Sequence, residues 1–304
     1  MRYTVVVLAF IVVAARADEP RPKIAERLAR AGDEIMVCGQ LFHTTTRVVL
    51  WTDPGGYDAY RVEPRFSANN GPVDRKTKSD LTKAGPGWRS HYGTRRRGLS
   101  PEEIERVRGG WDIPLLQRVV DQFVIHFDAV GTSRGCFQVL QDERGLSVHF
   151  MLDLDGTIYQ TLDLKEAAWH ATIANGRSIG IEVANIGAYA PNDRTRIDRW
   201  YKACPDGKIC VFDPGTSQPL RLESSAYELR PNRDELIVGT IQGQQLQQYD
   251  FTPQQYEALA KLTATLCTIF PNIRCDYPRE RSGALRREKL PDADYEVYQG
   301  ILGH

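Results

Sequence analysis

The sequence lacks an excess of charge of either sign. Its 39 lysine and arginine residues balance 39 aspartate and glutamate residues, so the formal net charge at pH 7 is zero. Proteins that attract nucleic acid or anionic membranes through general electrostatics carry a strong excess of basic residues. The charge balance therefore argues against both classes. Internal repeats and low-complexity tracts are also absent from the 304 residues, which give room for one large domain or two ordinary ones.

Long hydrophobic runs are scarce, and the clearest one lies at the N-terminus. Residues 5–14 are apolar, follow the charged Arg2, and precede a small-x-small site at 15–17. This pattern is typical of a secretory signal peptide. The run is about half of the ~20 residues that cross a bilayer. We therefore predict an exported protein, periplasmic or extracellular, without a transmembrane segment. A buried N-terminal helix is the alternative.

Cysteine is limited to six residues, and two of them flank a short turn. Cys204 and Cys210 enclose the sequence Pro-Asp-Gly-Lys-Ile. In an exported protein this spacing predicts a small disulfide-closed loop. A zinc knuckle is less favoured, because no second pair of ligands lies nearby. The pairing of the other cysteines stays open.

Histidine is equally limited, but three of the six histidines fall in one stretch of strand-like segments. His126 lies in an apolar run, His149 precedes an Asp-Gly hairpin signal, and His170 follows a tryptophan. Glu182 lies inside a third apolar run, at 178–183. An ionised glutamate is rarely buried without a partner. These segments therefore predict a chemical site on buried strands.

In this order, the segments resemble a known family. The matching pieces are the strand with His126, Ser-Val-His149-Phe with its hairpin, Trp-His170-Ala, Ser-Ile-Gly-Ile-Glu182 and the final Gly-His304. Together they resemble the zinc-dependent N-acetylmuramoyl-L-alanine amidases of the peptidoglycan-recognition-protein and phage-lysozyme type. The resemblance covers roughly residues 114–304.

The resemblance implies a role for each of these residues. His126 and His304 would bind Zn²⁺, Glu182 would be the general base, and His170 would donate a hydrogen bond to the oxyanion. His149 is expected to support the site rather than bind the metal, with a role as the third metal ligand as the alternative. Some relatives carry a tyrosine just before this histidine, where this chain has a valine. In the resembling amidases an aspartate or cysteine follows the Gly-His pair, so we expect the third ligand beyond His304 and the C-terminal end of the domain to be missing.

The same residues also allow ordinary structural roles. His126 could be a hydrogen-bonded core residue, Glu182 a structural carboxylate, and the Trp169-His170 pair a packing contact. A basic cluster at 95–97 is expected to be a solvated loop, with contact to an acidic substrate as the alternative.

The sequence predicts three regions along the chain. Residues 1–17 form the signal peptide, 18–110 an N-terminal flanking region and 111–304 the amidase domain, with an insertion at 187–250. The fold class is α/β, with a mixed central β-sheet of about five or six strands flanked by helices. A Thr-Pro start at 252–253 predicts a late helix ending before Pro271.

The implied function is hydrolysis of the amide between N-acetylmuramic acid and L-alanine, with peptidoglycan or released muropeptides as substrate. A non-catalytic peptidoglycan-binding protein of the same fold is the alternative, and the same chemistry on another amide is a third possibility. Glu182 favours an enzyme, because a binding protein has no use for a base beside a metal. Fold resemblance alone does not decide between them.

Overall fold

A six-stranded mixed β-sheet forms the centre of the fold. The computed structural model describes residues 29–61, 91–222 and 225–303, so the predicted signal peptide and His304 lie outside the described residues. The strands are β1 (Glu34–Val37), β2 (Gln40–His43), β3 (Val48–Leu50), β4 (Tyr92–Thr94), β5 (Gln122–Phe127), β6 (Phe150–Leu152), β7 (Ile158–Gln160), β8 (Glu166–Ala168), β9 (Ser178–Val183), β10 (Tyr201–Ala203), β11 (Ile209–Val211), β12 (Ile237–Ile241), β13 (Gln244–Gln248) and β14 (Gly300–Gly303). The α-helices are α1 (Pro101–Arg108), α2 (Ile113–Val119), α3 (Ser133–Phe137), α4 (Thr195–Trp200), α5 (Pro253–Ile269) and α6 (Asp292–Val297).

The central sheet has the strand order β14-β5-β9-β6-β7-β3. Strands β14, β5, β9 and β6 run parallel, and the hairpin partner β7 is antiparallel to β6. The predicted fold class is confirmed. Strand β3 comes from the predicted flanking region and pairs with β7 at the edge of this sheet. Part of that region therefore belongs to the same sheet as the site segments.

The two faces of β5 and β9 have different environments. Phe123 and Ile179 are fully buried and pack in one core with Leu262 and Leu266 of α5. Each such large apolar side chain contributes about 1.5–3 kcal/mol through burial. Because side chains alternate along a strand, the even-numbered residues of both strands, including His126, project from the opposite face.

Helix α5 begins where the sequence predicts. The Thr252 side chain accepts a hydrogen bond from the backbone N–H of Gln255, and the Gln255 side chain accepts one from the N–H of Thr252. This reciprocal capping satisfies two backbone donors that the first helical turn leaves without partners. Gln255 also donates to the carbonyl of Ala184 at 2.8 Å. The helix start is thus tied to the end of β9.

The predicted insertion at 187–250 contains helix α4 and the hairpins β10–β11 and β12–β13. Its apolar side chains Ile197, Tyr201, Val211 and Leu229 share one core with Leu154 and with Ala184 and Ile186, which follow β9. The insertion is therefore packed against the segments that flank the site.

None of the helices formed by the described residues combines the length and the hydrophobicity needed to cross a membrane.

Candidate active site

His126 and Glu182 lie side by side on the two central strands of the sheet. They are register partners in the parallel pair β5 and β9, so their side chains project from the same face. His126 is buried, with 7% of its surface exposed, and Glu182 is half-buried. The residues predicted to bind metal and to act as base are therefore neighbours on one surface.

Burial changes the acid–base behaviour of Glu182. Desolvation of its carboxylate, with a smaller contribution from the nearby Asp128 carboxylate, raises the pKa of Glu182 to about 8. A general base is most effective when its pKa lies near the working pH. Glu182 therefore exchanges a proton near neutral pH, unlike an ordinary surface glutamate.

Asp128 holds the ends of the two central strands together. Its Oδ1 accepts hydrogen bonds from the backbone N–H groups of Val130 and Gly131, both at 2.9 Å, and of Asn185 at 3.1 Å. Burial nevertheless raises the pKa of Asp128 to about 7. Asn185 is 57 residues away in the sequence, so local patterns contain no signal for this role of Asp128.

His170 contacts His126 directly. Its Nδ1 lies 3.0 Å from Nε2 of His126, and its Nε2 lies 3.2 Å from Oγ of Ser178. The backbone N–H of His170 donates to Oδ1 of Asn175 at 3.1 Å. Both ring nitrogens thus have protein partners, so donation to a substrate oxyanion requires one of these contacts to be exchanged.

Both ring nitrogens of His149 contact backbone groups, and Nε2 also lies 3.0 Å from Nη2 of Arg95. Its Nδ1 accepts a hydrogen bond from the N–H of Gly180 at 3.1 Å. The proton of the neutral ring is then on Nε2, which donates to the carbonyl of Glu166 at 3.0 Å. Burial, together with the nearby Arg95 charge, lowers the pKa of His149 to about 3. Both nitrogens are therefore used within the fold, and neither is directed towards His126.

One expectation about the basic cluster at 95–97 is wrong. Arg96 and Arg97 are exposed, but the side chain of Arg95 is fully buried, with 0% exposed. Its hydrogen-bond partners Leu164, Asn175 and Ser178 are far away in the sequence. The local composition therefore contained no signal that this arginine alone turns inwards.

The second predicted zinc ligand, His304, lies outside the described residues. The residue before it, Gly303, pairs with Ile125, which immediately precedes His126 on β5. The C-terminal strand therefore runs parallel to β5 beside the candidate site. The role of His304 stays a prediction.

Two other groups of potential metal ligands occur among the described residues, one of Cys204, Cys210 and Glu228, the other of Asp33, Glu34 and His43. The sulfur atoms of the first group are joined in a disulfide. In the second group, Glu34 accepts hydrogen bonds from the backbone N–H groups of residues 31–33. These groups therefore have structural roles, and neither includes a predicted site residue.

The disulfide joins Cys204 to Cys210, with their Cα atoms 5.8 Å apart. It closes the turn between β10 and β11, where the carbonyl of Cys204 also accepts a hydrogen bond from the N–H of Gly207. Cys38, Cys136, Cys267 and Cys275 are free thiols.

Comparison with known proteins places the chain in a class of amide-cleaving enzymes. A model of the N-acetylmuramoyl-L-alanine amidase family matches residues 116–304, which is more than half of the chain. The chain belongs to this family, whose members act on peptidoglycan and are usually zinc-dependent. Its function is accordingly that of a peptidoglycan amidase in general terms.

No curated protein matches the chain. A solved structure described as "crystal structure of Se-Met AmpD derivative" shares 17% identity, with a TM-score of 0.29, and the match covers 70% of this chain and 76% of that one. A TM-score this low carries no argument about fold or function.

Proposed function

We propose that this protein hydrolyses the amide bond between N-acetylmuramic acid and L-alanine of peptidoglycan in a zinc-dependent reaction. The observation that carries the proposal is the pairing of His126 with Glu182 on one face of adjacent parallel strands. This arrangement brings an imidazole, a side chain of the kind that binds zinc, beside a carboxyl group with a raised pKa. The family match supports the class of reaction.

The chemistry of these side chains fits zinc. Zinc binds imidazole nitrogen and carboxylate oxygen, and catalytic sites use three protein ligands with one open position. We assign His126 and His304 to the metal. Nε2 of His126 is the nitrogen that now faces His170. If this nitrogen binds the metal, Nδ1 of His170 is released.

When bound, zinc polarises the scissile carbonyl and lowers the pKa of a water molecule from about 15.7 to about 7. Glu182 takes a proton from the attacking water, whose oxygen adds to the carbonyl carbon. The C–N bond then breaks, and Glu182 passes the proton to the departing amine of L-alanine. His170, released from His126, donates its Nδ1 proton to the developing oxyanion.

We also propose that the protein works outside the cytoplasm. The proposal is supported by the signal-peptide pattern of residues 1–17 and by the Cys204–Cys210 disulfide. Disulfides persist mainly in oxidising compartments. Peptidoglycan is also found outside the cytoplasmic membrane, so location and substrate agree.

The test is incubation of the protein with purified peptidoglycan sacculi, with and without a chelator. New L-alanine amino termini that disappear with chelator and return with zinc would support the proposal. The Glu182→Gln variant is the matched control, because it keeps the shape of the side chain. Binding to sacculi without new amino termini would instead support a non-catalytic peptidoglycan-binding protein.

A further inference from the structure

Arg95 carries a fully buried charge that is bound by neutral groups. Its Nε donates to the carbonyl oxygen of Leu164 at 3.1 Å, and its Nη2 to that of Ser178 at 3.0 Å. Its Nη1 donates to the carbonyl of Asn175 at 3.4 Å. Among the described residues, its hydrogen-bond partners include no carboxylate. The charges of Glu166 and Asp163 act on the guanidinium without a hydrogen bond to it. Burying a charge is strongly unfavourable, so this arginine needs an explanation beyond general stability.

Two of these partners also hold His170. Asn175 accepts a hydrogen bond from the backbone N–H of His170 through Oδ1, and another from the N–H of Ala171 at 2.7 Å. Ser178 contacts Nε2 of the His170 ring through Oγ at 3.2 Å. The Arg95 guanidinium therefore binds the backbone carbonyls of Asn175 and Ser178. The side chain of Asn175 holds the main chain of His170, and the side chain of Ser178 contacts its ring.

The shape of the side chain suits this role. A guanidinium is a planar, rigid fork that donates in several fixed directions, whereas a lysine ammonium is a point charge on a flexible stem. The fork of Arg95 spans Asn175 and Ser178, which lie on either side of the turn into β9. It also lies 3.0 Å from Nε2 of His149. The Arg95 guanidinium thus contacts Asn175 and Ser178, which hold His170, and also His149.

We infer that Arg95 is a positioning residue, which holds Asn175 and Ser178 so that the His170 ring stays beside His126. The inference rests on the proposed function only for its effect on catalysis. The simpler alternative is that Arg95 merely fastens the segment that carries β4 to the sheet. The two explanations differ in what they predict for the His170 ring and for turnover in a protein that remains folded.

The experiment compares four variants with the wild type. Arg95→Met removes the fork but keeps much of the volume, and Arg95→Lys keeps the charge. Arg96→Met is the matched control at the exposed neighbour. Leu262→Ala destabilises the core on the opposite face of the sheet. Zinc content and melting temperature are measured for each, together with kcat and KM on a soluble muropeptide.

We expect Arg95→Met to stay folded and to retain zinc, with kcat reduced by about tenfold or more and KM little changed, since misplacement of a reacting group acts mainly on turnover. The kcat of Arg95→Lys should lie between that of Arg95→Met and that of the wild type. Arg96→Met should match the wild type. If Arg95→Met does not fold, Arg95→Lys takes its place in the comparison.

A second readout is independent of activity. The ¹H–¹³C signal of the His170 ring, assigned with His170→Gln, is recorded on the metal-free protein. We expect it to shift or broaden in both Arg95 variants and to stay unchanged in Leu262→Ala. The inference would be overturned if the His170 signal is unchanged in the Arg95 variants and their loss of kcat is no greater than that of Leu262→Ala. The values of kcat are compared at equal loss of melting temperature. A wild type without hydrolysis would count against the proposed function, while the ring signal would still decide the role of Arg95.

Discussion

The ring of His170 occupies the space that a side chain at Gly180 would fill. A Cβ atom built on Gly180 would lie 2.4 Å from both Cε1 and Nδ1 of His170, far inside van der Waals contact. Gly180 lies on β9 between the neighbours Ile179 and Ile181, which pack into the core. The glycine of the Ser-Ile-Gly-Ile-Glu motif therefore makes room for the imidazole that contacts His126.

This relationship predicts the effect of Gly180→Ala. The new methyl group must displace the His170 ring, so we expect turnover to fall by at least about tenfold, because misplacement of a reacting group by even an ångström is costly. The matched control is Gly239→Ala in the β12–β13 hairpin, where no atom lies within 4 Å of the added Cβ. Muropeptide hydrolysis by the two variants is the measurement. Equal activity would show that the position of His170 does not matter.

Glu182→Gln tests the general base. The amide cannot accept the proton of the attacking water, so turnover should fall by roughly a hundredfold or more while zinc stays bound. Glu257→Gln is the control, since Glu257 is an exposed residue of α5 that pairs with Lys261 at 2.6 Å. Metal content and initial rates are measured together. Wild-type rates in Glu182→Gln would rule out the role.

His126→Ala tests the metal site. Removing this imidazole should greatly weaken zinc binding, with activity lost in parallel, because catalytic zinc sites depend on a few protein ligands. His43→Ala is the control, because His43 is a largely exposed histidine that pairs with Asp33. Zinc is measured by elemental analysis after gel filtration. Undiminished zinc in His126→Ala would place the metal elsewhere.

The free energy of unfolding should decrease in acid because His149 takes up a proton more readily in the unfolded chain than in the folded protein. Its pKa is about 3 in the folded protein and about 6.5 when unfolded. Between these values the unfolded chain binds more protons, so the free energy of unfolding decreases as the pH falls from 6.5 towards 3. His149→Gln should weaken this dependence. Urea unfolding of the metal-free protein at several pH values provides the measurement.

The dependence of stability on pH that arises from His43 has the opposite sign to that from His149. Its hydrogen bond and charge interaction with Asp33 raise the pKa of His43 above its usual value. Its contribution to stability is therefore present below the unfolded pKa and is lost as the pH rises through the folded pKa. His43→Gln should not weaken the loss of stability in acid. An identical pH dependence for the wild type and His149→Gln would contradict the assignment to His149.

The Cys204–Cys210 disulfide can be tested on unreduced protein. Peptide mass spectrometry should find these two cysteines linked, because their Cα atoms lie 5.8 Å apart, within the range that a disulfide spans. Cys275, which is exposed and free, should be alkylated without reduction and serves as the internal control. Alkylation of both Cys204 and Cys210 without reductant would exclude the bond.

Local signals in the sequence were sufficient for several elements. The apolar run at 178–183 coincides with β9, and the Thr-Pro start at 252–253 gives the beginning of α5. Alternation along β5 and β9 also puts His126 and Glu182 on one face once the strands are aligned. Such patterns are readable because strand periodicity and helix capping depend on residues close together in the chain.

The remaining features depend on contacts between distant segments. The sequence alone determined β9, the start of α5, the family resemblance and the candidates His126, His170 and Glu182. Only the tertiary structure decided that Arg95 turns inwards while its neighbours are solvated, and that β3 joins the central sheet. The physical reason is that a buried guanidinium and an edge strand are satisfied by partners supplied by the packing of the whole domain, and no local pattern encodes which partners those are.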